Sequence, residues 1–288
     1  MKDYLDARWQ AILTHNQLHS FDDLWTLDIG WFEEPNRRRG GWSGVSRCEL
    51  SLPEGGRTAI FLKRQENHGT FYWRHPIAGI PTFTREFRTI LHYKANGVPS
   101  LEPVYFAARQ TRNYQRAILA TEELSGFISM EECVAHWLAN DVPARSERLR
   151  YLCAIADLLS TMHRHRIQHN CPFPKHLFIK SRPDGSIEAR IIDLEKSRWR
   201  PLMLFCTLRD LGALQRHAPS WSGTDRLWFF KRYLGIARLT PYAKWLWRRI
   251  AKRVLEKGLT WHADTPRLYA GRASSEVKAT VDQSFPRV

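Results

Sequence analysis

The hydrophobic pattern of the first half of the chain predicts mainly β-strands. Two short runs, SGVSRCELSL and RTAIFLKRQ, flank the turn-forming segment PEGG and predict a β-hairpin between Trp42 and Leu62. Apolar residues then recur at helical spacing from Phe83 to Asn96, and Gly97 ends the helix that they predict. The runs PVYFAAR and RAILATEEL predict two further strands. The first half is therefore predicted to be a β-sheet with one helix.

The second half of the chain changes to helical spacing. From Ser146 to His165, apolar residues repeat on one face of a predicted helix. The segments HLFIK and ARIIDLEK, joined by a turn-forming Pro-Asp-Gly, predict a second small hairpin, and helical sequence continues to about Gly258. No clear period defines an element in the first 30 residues. The predicted divisions are a variable leader (1–30), a β-rich lobe (31–124), an α-rich lobe (125–258) and a polar tail (259–288).

Composition and charge narrow the class of protein and the class of partner. The chain has 288 residues, 43% of them hydrophobic, which suits a folded protein with a substantial core. No apolar stretch approaches the ~18 residues that a membrane helix needs. The first residues, MKDYLDARWQ, lack the apolar core of a signal peptide, so we expect a cytoplasmic protein. The net charge of +15 favours an anionic partner.

The order of the predicted elements matches a protein-kinase-like phosphotransferase of the α+β class. A β-rich lobe with one helix precedes an α-rich lobe in which a hairpin carries an acidic residue. The order alone is weak evidence, because unrelated functions share folds. Phosphoryl transfer has more specific requirements, namely a loop whose backbone approaches phosphates, a lysine held by a glutamate, a base and carboxylates for Mg²⁺.

Two features of the first half match the nucleotide side of these requirements. The segment RGGWSG, residues 39–44, precedes the first predicted strand, and its glycines would let backbone N–H groups face a phosphate; an ordinary turn explains them equally well. Lys63 ends the apolar run AIFL, and Glu86 lies in the helix that follows. We predict that Lys63 and Glu86 form an ion pair, although each residue alone is typical of a solvated charge.

Two features of the second half match the catalytic side. The catalytic loop of protein kinases reads H-R-D-x-x-x-x-N, and in the segment HNCPFPKH the residues Cys171 and His176 have the spacing of that Asp and Asn. Asp193 follows the buried run ARII, as the Mg²⁺-binding Asp of D-F-G follows a strand. Such an Asp alone more often marks a strand end, but its place one hairpin after the loop favours a metal ligand.

Longer stretches of the sequence resemble a known family. The segments WFEEPNRRRGGWSG, PTFTREF, HNCPFPKH and IDLEKSRWR, within residues 31–215, are similar to the lipopolysaccharide kinase family of Kdo and heptose kinases. Among its branches the chain is most similar to the weak-acid-inducible, InaA-like one. The family phosphorylates sugars of the lipopolysaccharide inner core. The resemblance implies a bilobal kinase-like fold that uses ATP and Mg²⁺ and acts on a core sugar or related glycolipid at the cytoplasmic face of the inner membrane.

The resemblance also implies roles for individual residues. Lys63 would hold the nucleotide phosphates and Glu86 would orient it. Asp193 and His176 would bind the metal, although imidazole is a poorer Mg²⁺ ligand than oxygen. Further nucleotide contacts are implied for Gly40, Gly41, Ser43, Gly44 and Glu122.

One departure from the family divides the expected function into two alternatives. Cys171 stands where the core-sugar kinases carry an Asp base, and a thiol accepts a proton readily only if its pKa is lowered. Phosphoryl transfer depends mostly on positioning and electrostatics, so losing the base need not abolish it. The sequence predicts either a kinase with Cys171, Lys63 and Asp193 in its catalytic centre or an inactive homologue that binds nucleotide or a partner in an acid-stress response.

Other interpretations concern the histidines, the tryptophans and the basic residues. The cluster that contains His163, His165, His169, Cys171 and His176 matches no familiar zinc spacing. Most of the 12 tryptophans suit core or interface positions, so nucleic acid is not the expected partner.

Residues 226–257 carry ten basic residues and one acidic residue among aromatic ones. This stretch predicts either peripheral contact with an anionic membrane or a solvated face on core helices.

Overall fold

The structure, a computed structural model, describes residues 2–38, 40–72, 75–112, 114–218 and 220–258. The predicted polar tail lies outside the described residues. The chain separates into two compact units. The first unit contains Met1–Ala95 and Ser100–Ser125, and the second contains Asn96–Pro99 and the chain from Gly126 onwards.

The first unit is built on an antiparallel sheet. Its elements are β1 (Tyr4–Leu5), α1 (Ala7–His15), α2 (Phe21–Thr26), β2 (Glu33–Arg38), β3 (Gly41–Ser51), β4 (Arg57–Glu66), β5 (Gly69–Tyr72), β6 (His75–Pro81), α3 (Thr82–Ala95), β7 (Pro103–Gln110) and β8 (Gln115–Glu122). Six strands pair in the order β1-β7-β8-β4-β3-β2, and β5 pairs with β6. The hairpin β3–β4, the helix α3 and the strands β7 and β8 are the elements that the hydrophobic pattern predicts.

The first 30 residues form elements for which the sequence pattern predicts none. Asp6 caps α1, and Ser20 caps α2, whose Asp23 N–H donates to the Ser20 hydroxyl at 3.2 Å in a capping box. Each helix buries only two side chains, Trp9 and Leu13 in α1 and a similar pair in α2, which is too few to produce a detectable period. The predicted leader is therefore an integral part of the first unit.

The large sheet has helices on both faces. Successive side chains of a strand point to opposite faces. Ile60 and Leu62 of β4 join a core cluster with side chains of α1 and α2. Lys63 points to the opposite face, where α3 packs against β7 and β8 and Phe87 stacks on Phe106 with ring centroids 4.4 Å apart. The alternation of β4 therefore directs Lys63 towards α3.

The second unit is mainly helical and contains two small sheets. Its elements are β9 (Ile128–Ser129), α4 (Met130–Ala139), α5 (Arg145–Arg164), β10 (Ile167–Gln168), β11 (Leu177–Ser181), β12 (Ile187–Ile191), β13 (Arg198–Trp199), α6 (Met203–Arg216), α7 (Gly223–Leu234) and α8 (Pro241–Lys257). The strands pair as β12-β11-β9 and as β10-β13. Two short 3₁₀ helices, Pro174–His176 and Leu194–Lys196, follow β10 and β12. The predicted helix α5 and the hairpin β11–β12 are both present.

The basic and aromatic stretch 226–257 is partly a core element. Phe229, Phe230 and Trp247 are buried, and the rings of Phe230 and Trp247 lie 5.2 Å apart. These aromatic side chains therefore belong to the interior of the second unit, and neither predicted surface, the membrane contact nor the solvated face, includes them. None of the helices in the described residues combines the length and the hydropathy of a transmembrane segment.

Arg226, counted among the surface charges in the sequence, is fully buried on α7. Its guanidinium donates to Gln215 O at 2.6 Å, Ala218 O at 2.5 Å and Trp221 O at 3.1 Å. Two of these carbonyls lie at or just beyond the end of α6, where helical backbone leaves acceptors without intrahelical donors. Burial lowers the pKa of Arg226 to about 10, which leaves the side chain charged at neutral pH. Arg226 thus connects the end of α6 to α7.

Replacing Arg226 with Met should destabilise the protein by about 3 kcal/mol, because buried carbonyls lose their donors. Arg226→Lys should recover only part of the loss, since an ammonium group cannot span the same acceptors. The free energy of unfolding in urea measures both effects. Arg238→Met, at an exposed position, is the matched control. Equal stability of the two Met variants would contradict this role for Arg226.

Candidate functional site

Lys63 and Glu86 form a buried ion pair in the first unit. Lys63 Nζ lies 2.6 Å from Glu86 Oε1, and the two side chains are 19% and 5% exposed. The pair predicted from the order of the residues is therefore present. Removing two charges from water is costly, so a buried pair of this kind is weak evidence for a purely stabilising role. The geometry instead holds the lysine ammonium at a defined point on the α3 face of the sheet.

The glycine-rich segment forms a turn and the beginning of β3, and does not precede the first strand as the sequence predicts. Gly40 lies in the turn after β2 with φ +77°, and a side chain there would meet nothing within 4 Å. Gly41, Ser43 and Gly44 lie within β3, and a Cβ on Gly44 would approach the Trp31 ring to 2.5 Å. Close packing thus accounts for Gly44, whereas the positive φ, and no neighbouring atom, accounts for Gly40.

The strand β2 escapes prediction because its sequence, EEPNRR, has no apolar alternation. It lies at the edge of the sheet beside β3. Charged residues and proline are common on edge strands, where they discourage pairing with other chains. The turn between β2 and β3 is therefore part of a hairpin.

Glu122, the remaining residue with an implied nucleotide contact, ends β8. Its backbone N–H donates to Glu102 O at 2.9 Å, and its carboxylate lies 3.8 Å from Arg8 Nη2. Exposed ion pairs of this length contribute little to stability. The Glu122 side chain is consequently held only weakly by its neighbour on α1.

In the second unit, one buried carboxylate holds the loop that carries Cys171. Asp210 on α6 is fully buried and accepts hydrogen bonds from the backbone N–H groups of His169 at 2.7 Å and Asn170 at 2.9 Å. The His163 ring donates to the same carboxylate through Nε2 at 3.1 Å. Asp210 therefore fixes the backbone immediately before Cys171.

Sequence reasoning overlooks Asp210, although one signal was available. Asp210 occupies a position on the apolar face of α6, in line with Cys206 and Leu214, which are both fully buried. An acidic residue on such a face must have donors nearby, because an unpaired buried charge is very costly. The donors are backbone groups of a distant loop, and no pattern in the sequence identifies them.

The loop after β10 and the loop after β12 are joined by three hydrogen bonds. His169 Nε2 donates to Ile192 O at 2.9 Å, Asn170 Nδ2 donates to Lys196 O at 2.6 Å, and Ile192 N–H donates to His176 O at 3.0 Å. These bonds hold the loop that contains His176 beside the loop that contains Asp193. Asp193 has a left-handed backbone conformation with φ +60°. Such a conformation is uncommon outside glycine and is maintained by surrounding contacts.

His176 and Asp193 converge without a hydrogen bond between their side chains. His176 Nδ1 donates to Cys171 O at 2.8 Å, and His176 Nε2 lies 3.6 Å from Asp193 Oδ2, beyond hydrogen-bonding distance. Burial lowers the pKa of His176, although the Asp193 charge opposes this shift. The neutral ring therefore presents the Nε2 lone pair beside a carboxylate, an arrangement suited to a cation.

A nucleotide-bound metal ion fits these two ligands. The described residues contain no group of three or more His, Cys, Asp and Glu able to hold a metal alone. Mg²⁺ in phosphate-transferring enzymes is commonly bound by one or two protein side chains together with substrate phosphates and water. Asp193 supplies a preferred oxygen ligand, whereas His176 supplies nitrogen.

The Cys171 thiol lacks the property that a general base requires. Burial raises the pKa of Cys171, and the nearby Lys196 charge only partly opposes this shift. A thiol whose pKa is raised is protonated at neutral pH and cannot readily accept a proton. The Cys171 thiol is therefore unsuited to the role of a proton acceptor.

The other histidines of the cluster have structural partners. His163 Nδ1 contacts the Tyr233 hydroxyl at 2.8 Å, and that hydroxyl contacts Thr207 Oγ1 at 2.7 Å. His165 is the C-cap of α5. His163 thus connects α5 to α6 and α7, and His165 ends α5.

The role assigned to Asp210 leads to a prediction about the loop. Asp210→Ala should lower the free energy of unfolding by about 3 kcal/mol, because buried N–H groups lose a charged acceptor. Amide hydrogen exchange at His169 and Asn170 should also accelerate, since these are the groups that Asp210 binds. Asp157→Ala, which removes an exposed ion pair with Arg232, should cost less than about 1 kcal/mol and leave this exchange unchanged. Unaltered exchange in Asp210→Ala would refute the anchoring role.

The fold of this chain is similar to that of a solved protein. The structure "WaaP in complex with acyl carrier protein" matches this chain with a TM-score of 0.60 at 18% identity, covering 99% of this chain and 100% of that one. The α+β class predicted from the sequence is confirmed by this likeness and by the mixed sheets and helices.

The chain belongs to the lipopolysaccharide kinase (Kdo/WaaP) family, whose sequence profile matches residues 22–233. Protein InaA of Escherichia coli (strain K12) is 36% identical over 183 residues, which cover 62% of this chain and 79% of InaA. The lipopolysaccharide core heptose(I) kinase WaaP of the same strain is 26% identical over 212 residues, covering 65% of this chain and 75% of WaaP. The resemblance stated from the sequence motifs is confirmed.

Proposed function

We propose that the protein is an ATP-dependent phosphotransferase of bilobal, protein-kinase-like architecture. The observation that carries the proposal is the buried ion pair between Lys63 and Glu86 at 2.6 Å, because kinases use such a pair to hold the nucleotide phosphates. The acceptor is a hydroxyl of a lipopolysaccharide core sugar or a related glycolipid. Membership of the Kdo/WaaP family supports this class of acceptor.

Each unit supplies one part of the chemistry. In the first unit, Lys63 would bind nucleotide phosphates, and backbone N–H groups of the turn at Gly40 would approach them. In the second unit, Asp193 and His176 would hold the metal. When bound, the metal ion neutralises charge on the phosphates and orients them for transfer.

The reaction forms a bond between the acceptor oxygen and the γ-phosphorus of ATP and breaks the bond from that phosphorus to the bridging oxygen. ADP leaves, and the acceptor hydroxyl loses its proton. Because the pKa of Cys171 is raised by burial, the thiol does not take this proton, which passes to water or to a phosphoryl oxygen. A loose transition state can be reached without a base, so the reaction would still proceed, but more slowly than with a general base.

The second candidate is a catalytically inactive homologue that binds nucleotide or a partner in an acid-stress response. It is favoured by the burial of Cys171, which raises the pKa of the thiol where the family resemblance implies a base.

Phosphate transfer from labelled ATP to purified lipopolysaccharide core acceptors, and to the protein itself, tests the proposal. Asp193→Ala and Lys63→Met should abolish transfer, because they remove a metal ligand and a phosphate-binding cation. Cys171→Ala should leave the rate nearly unchanged, whereas Cys171→Asp should raise it by up to the ~10²- to 10⁴-fold that a general base contributes.

Nucleotide binding separates the two candidates. MgATP should raise the melting temperature, because a ligand selective for the native state stabilises it. Binding without transfer by the wild type or Cys171→Asp would favour the inactive homologue. Full transfer by Asp193→Ala would contradict the proposed metal site.

The exposed face of α8 supports peripheral contact with an anionic membrane. Tyr242 and Trp245 are 57% and 39% exposed, and their rings stack at 5.8 Å. The Arg249 guanidinium lies 5.6 Å from the Trp245 ring centroid, and Lys252 is exposed one turn further along. Amphipathic aromatic side chains beside cations suit the headgroup region of an anionic bilayer. This face is narrower than the surface predicted over residues 226–257. The membrane in this proposal is the inner membrane, at its cytoplasmic face, as the family resemblance implies.

Co-sedimentation with phospholipid vesicles tests this surface. The wild type should bind vesicles that contain phosphatidylglycerol better than vesicles of phosphatidylcholine alone, and added salt should weaken binding. Trp245→Ser and Arg249→Gln should each reduce binding. Trp199→Ser and Arg238→Gln, at exposed positions outside α8, serve as controls. Equal losses in all four variants would exclude α8 as the contact.

A further inference from the structure

We infer that His176 makes the metal site select a divalent transition-metal ion, such as Mn²⁺ or Co²⁺, over Mg²⁺. This inference rests on the proposed function and concerns the ion that accompanies the nucleotide. It starts from the identity of the donor atoms, one imidazole nitrogen and one carboxylate oxygen, in the second unit.

The protein fixes which ring nitrogen of His176 is available. Nδ1 must carry a proton, because its partner at 2.8 Å is the backbone carbonyl of Cys171, which can only accept. The ring also stacks on Phe173 with centroids 5.6 Å apart and an interplanar angle of 30°. Hydrogen bonding of one ring nitrogen is the usual device that orients the other towards a metal. Nε2 is therefore prepared as a ligand atom.

The surroundings of Nε2 point to a cation as the missing partner. Its neighbour is Asp193 Oδ2 at 3.6 Å, so two electron-pair donors face each other without a hydrogen bond. Asp193 is held in a left-handed conformation, and His176 is anchored by the bond from Ile192 N–H to its carbonyl oxygen at 3.0 Å. A shared cation would satisfy both atoms.

The nitrogen ligand determines which cation is preferred. Mg²⁺ is a hard ion that prefers oxygen ligands, and the Asn of kinase catalytic loops can offer it an amide oxygen. Imidazole suits transition metals, whose affinities for nitrogen-containing sites rise from Mn²⁺ to Co²⁺ along the Irving–Williams order. With His176 in place of that Asn, affinity should increase in the order Mg²⁺, Mn²⁺, Co²⁺.

Calorimetric titration of ADP into the full chain, in the presence of each metal ion, tests this order. The metals differ in their affinity for ADP itself, so the informative quantity is the difference between the wild type and His176→Asn. The affinity for ADP should rise more steeply from Mg²⁺ to Co²⁺ in the wild type than in His176→Asn. His165→Asn, which changes a histidine at the end of α5, should retain the wild-type order.

Pulsed electron paramagnetic resonance of the Mn²⁺–ADP complex gives a second readout that is independent of activity. With ¹⁵N-labelled histidine in the protein, coupling from a histidine nitrogen should appear in the wild type and in His165→Asn and be lost in His176→Asn. The label separates the imidazole from the nitrogens of the nucleotide. If His176→Asn fails to fold, the wild-type spectrum still shows whether any histidine nitrogen binds the Mn²⁺ ion, and the absence of this coupling contradicts the inference.

The outcomes distinguish this inference from the proposed function. Binding of metal–ADP with no histidine coupling, and with the same metal order in wild type and His176→Asn, would overturn the inference and leave the proposed function intact. Absence of binding with every metal would remove the nucleotide-binding function and the inference together.

Discussion

The candidate site in the second unit depends on the buried carboxylate of Asp210. A carboxylate enclosed by protein must be fully hydrogen-bonded, and here backbone N–H groups of the loop before Cys171 meet that requirement. If these N–H groups moved away, the buried carboxylate of Asp210 would lose two of its three hydrogen bonds. This cost holds the loop in one conformation. The hydrogen bonds from this loop to the loop of Asp193 transmit the same constraint to His176. One electrostatic requirement thus positions both metal-ligand candidates.

Neighbouring cations on β4 organise the first unit in a comparable way. Lys63 pairs with Glu86 on the α3 face of the sheet. Arg64, on the opposite face, donates to Trp25 O at 2.9 Å and Leu27 O at 2.8 Å, carbonyls at the C-terminal end of α2. Strand alternation therefore lets two consecutive charged residues serve opposite faces. The same strand orients the phosphate-binding candidate and fastens the N-terminal helices.

Long elements with many apolar positions, such as α5, could be predicted from the sequence because the core imposes a period on them. The short helices α1 and α2 and the charged edge strand β2 lack such a period. The ion pair of Lys63 was predictable from motif order, whereas the role of Asp210 depends on backbone groups from a distant loop. Arg226 counts among the basic residues of a predicted surface stretch, but its side chain is buried. Composition does not distinguish a solvated guanidinium from one that donates to buried carbonyls.

The two N-terminal helices have a consequence for the limits of the functional unit. The family profile begins at residue 22, inside α2, whereas Trp9 and Leu13 of α1 cover the sheet beside Ile60 and Leu62. A chain trimmed to the shared family region would leave this apolar surface in contact with water, and such surfaces promote aggregation. The family profile and the folding unit therefore have different boundaries, because α1 covers part of the apolar face of the sheet.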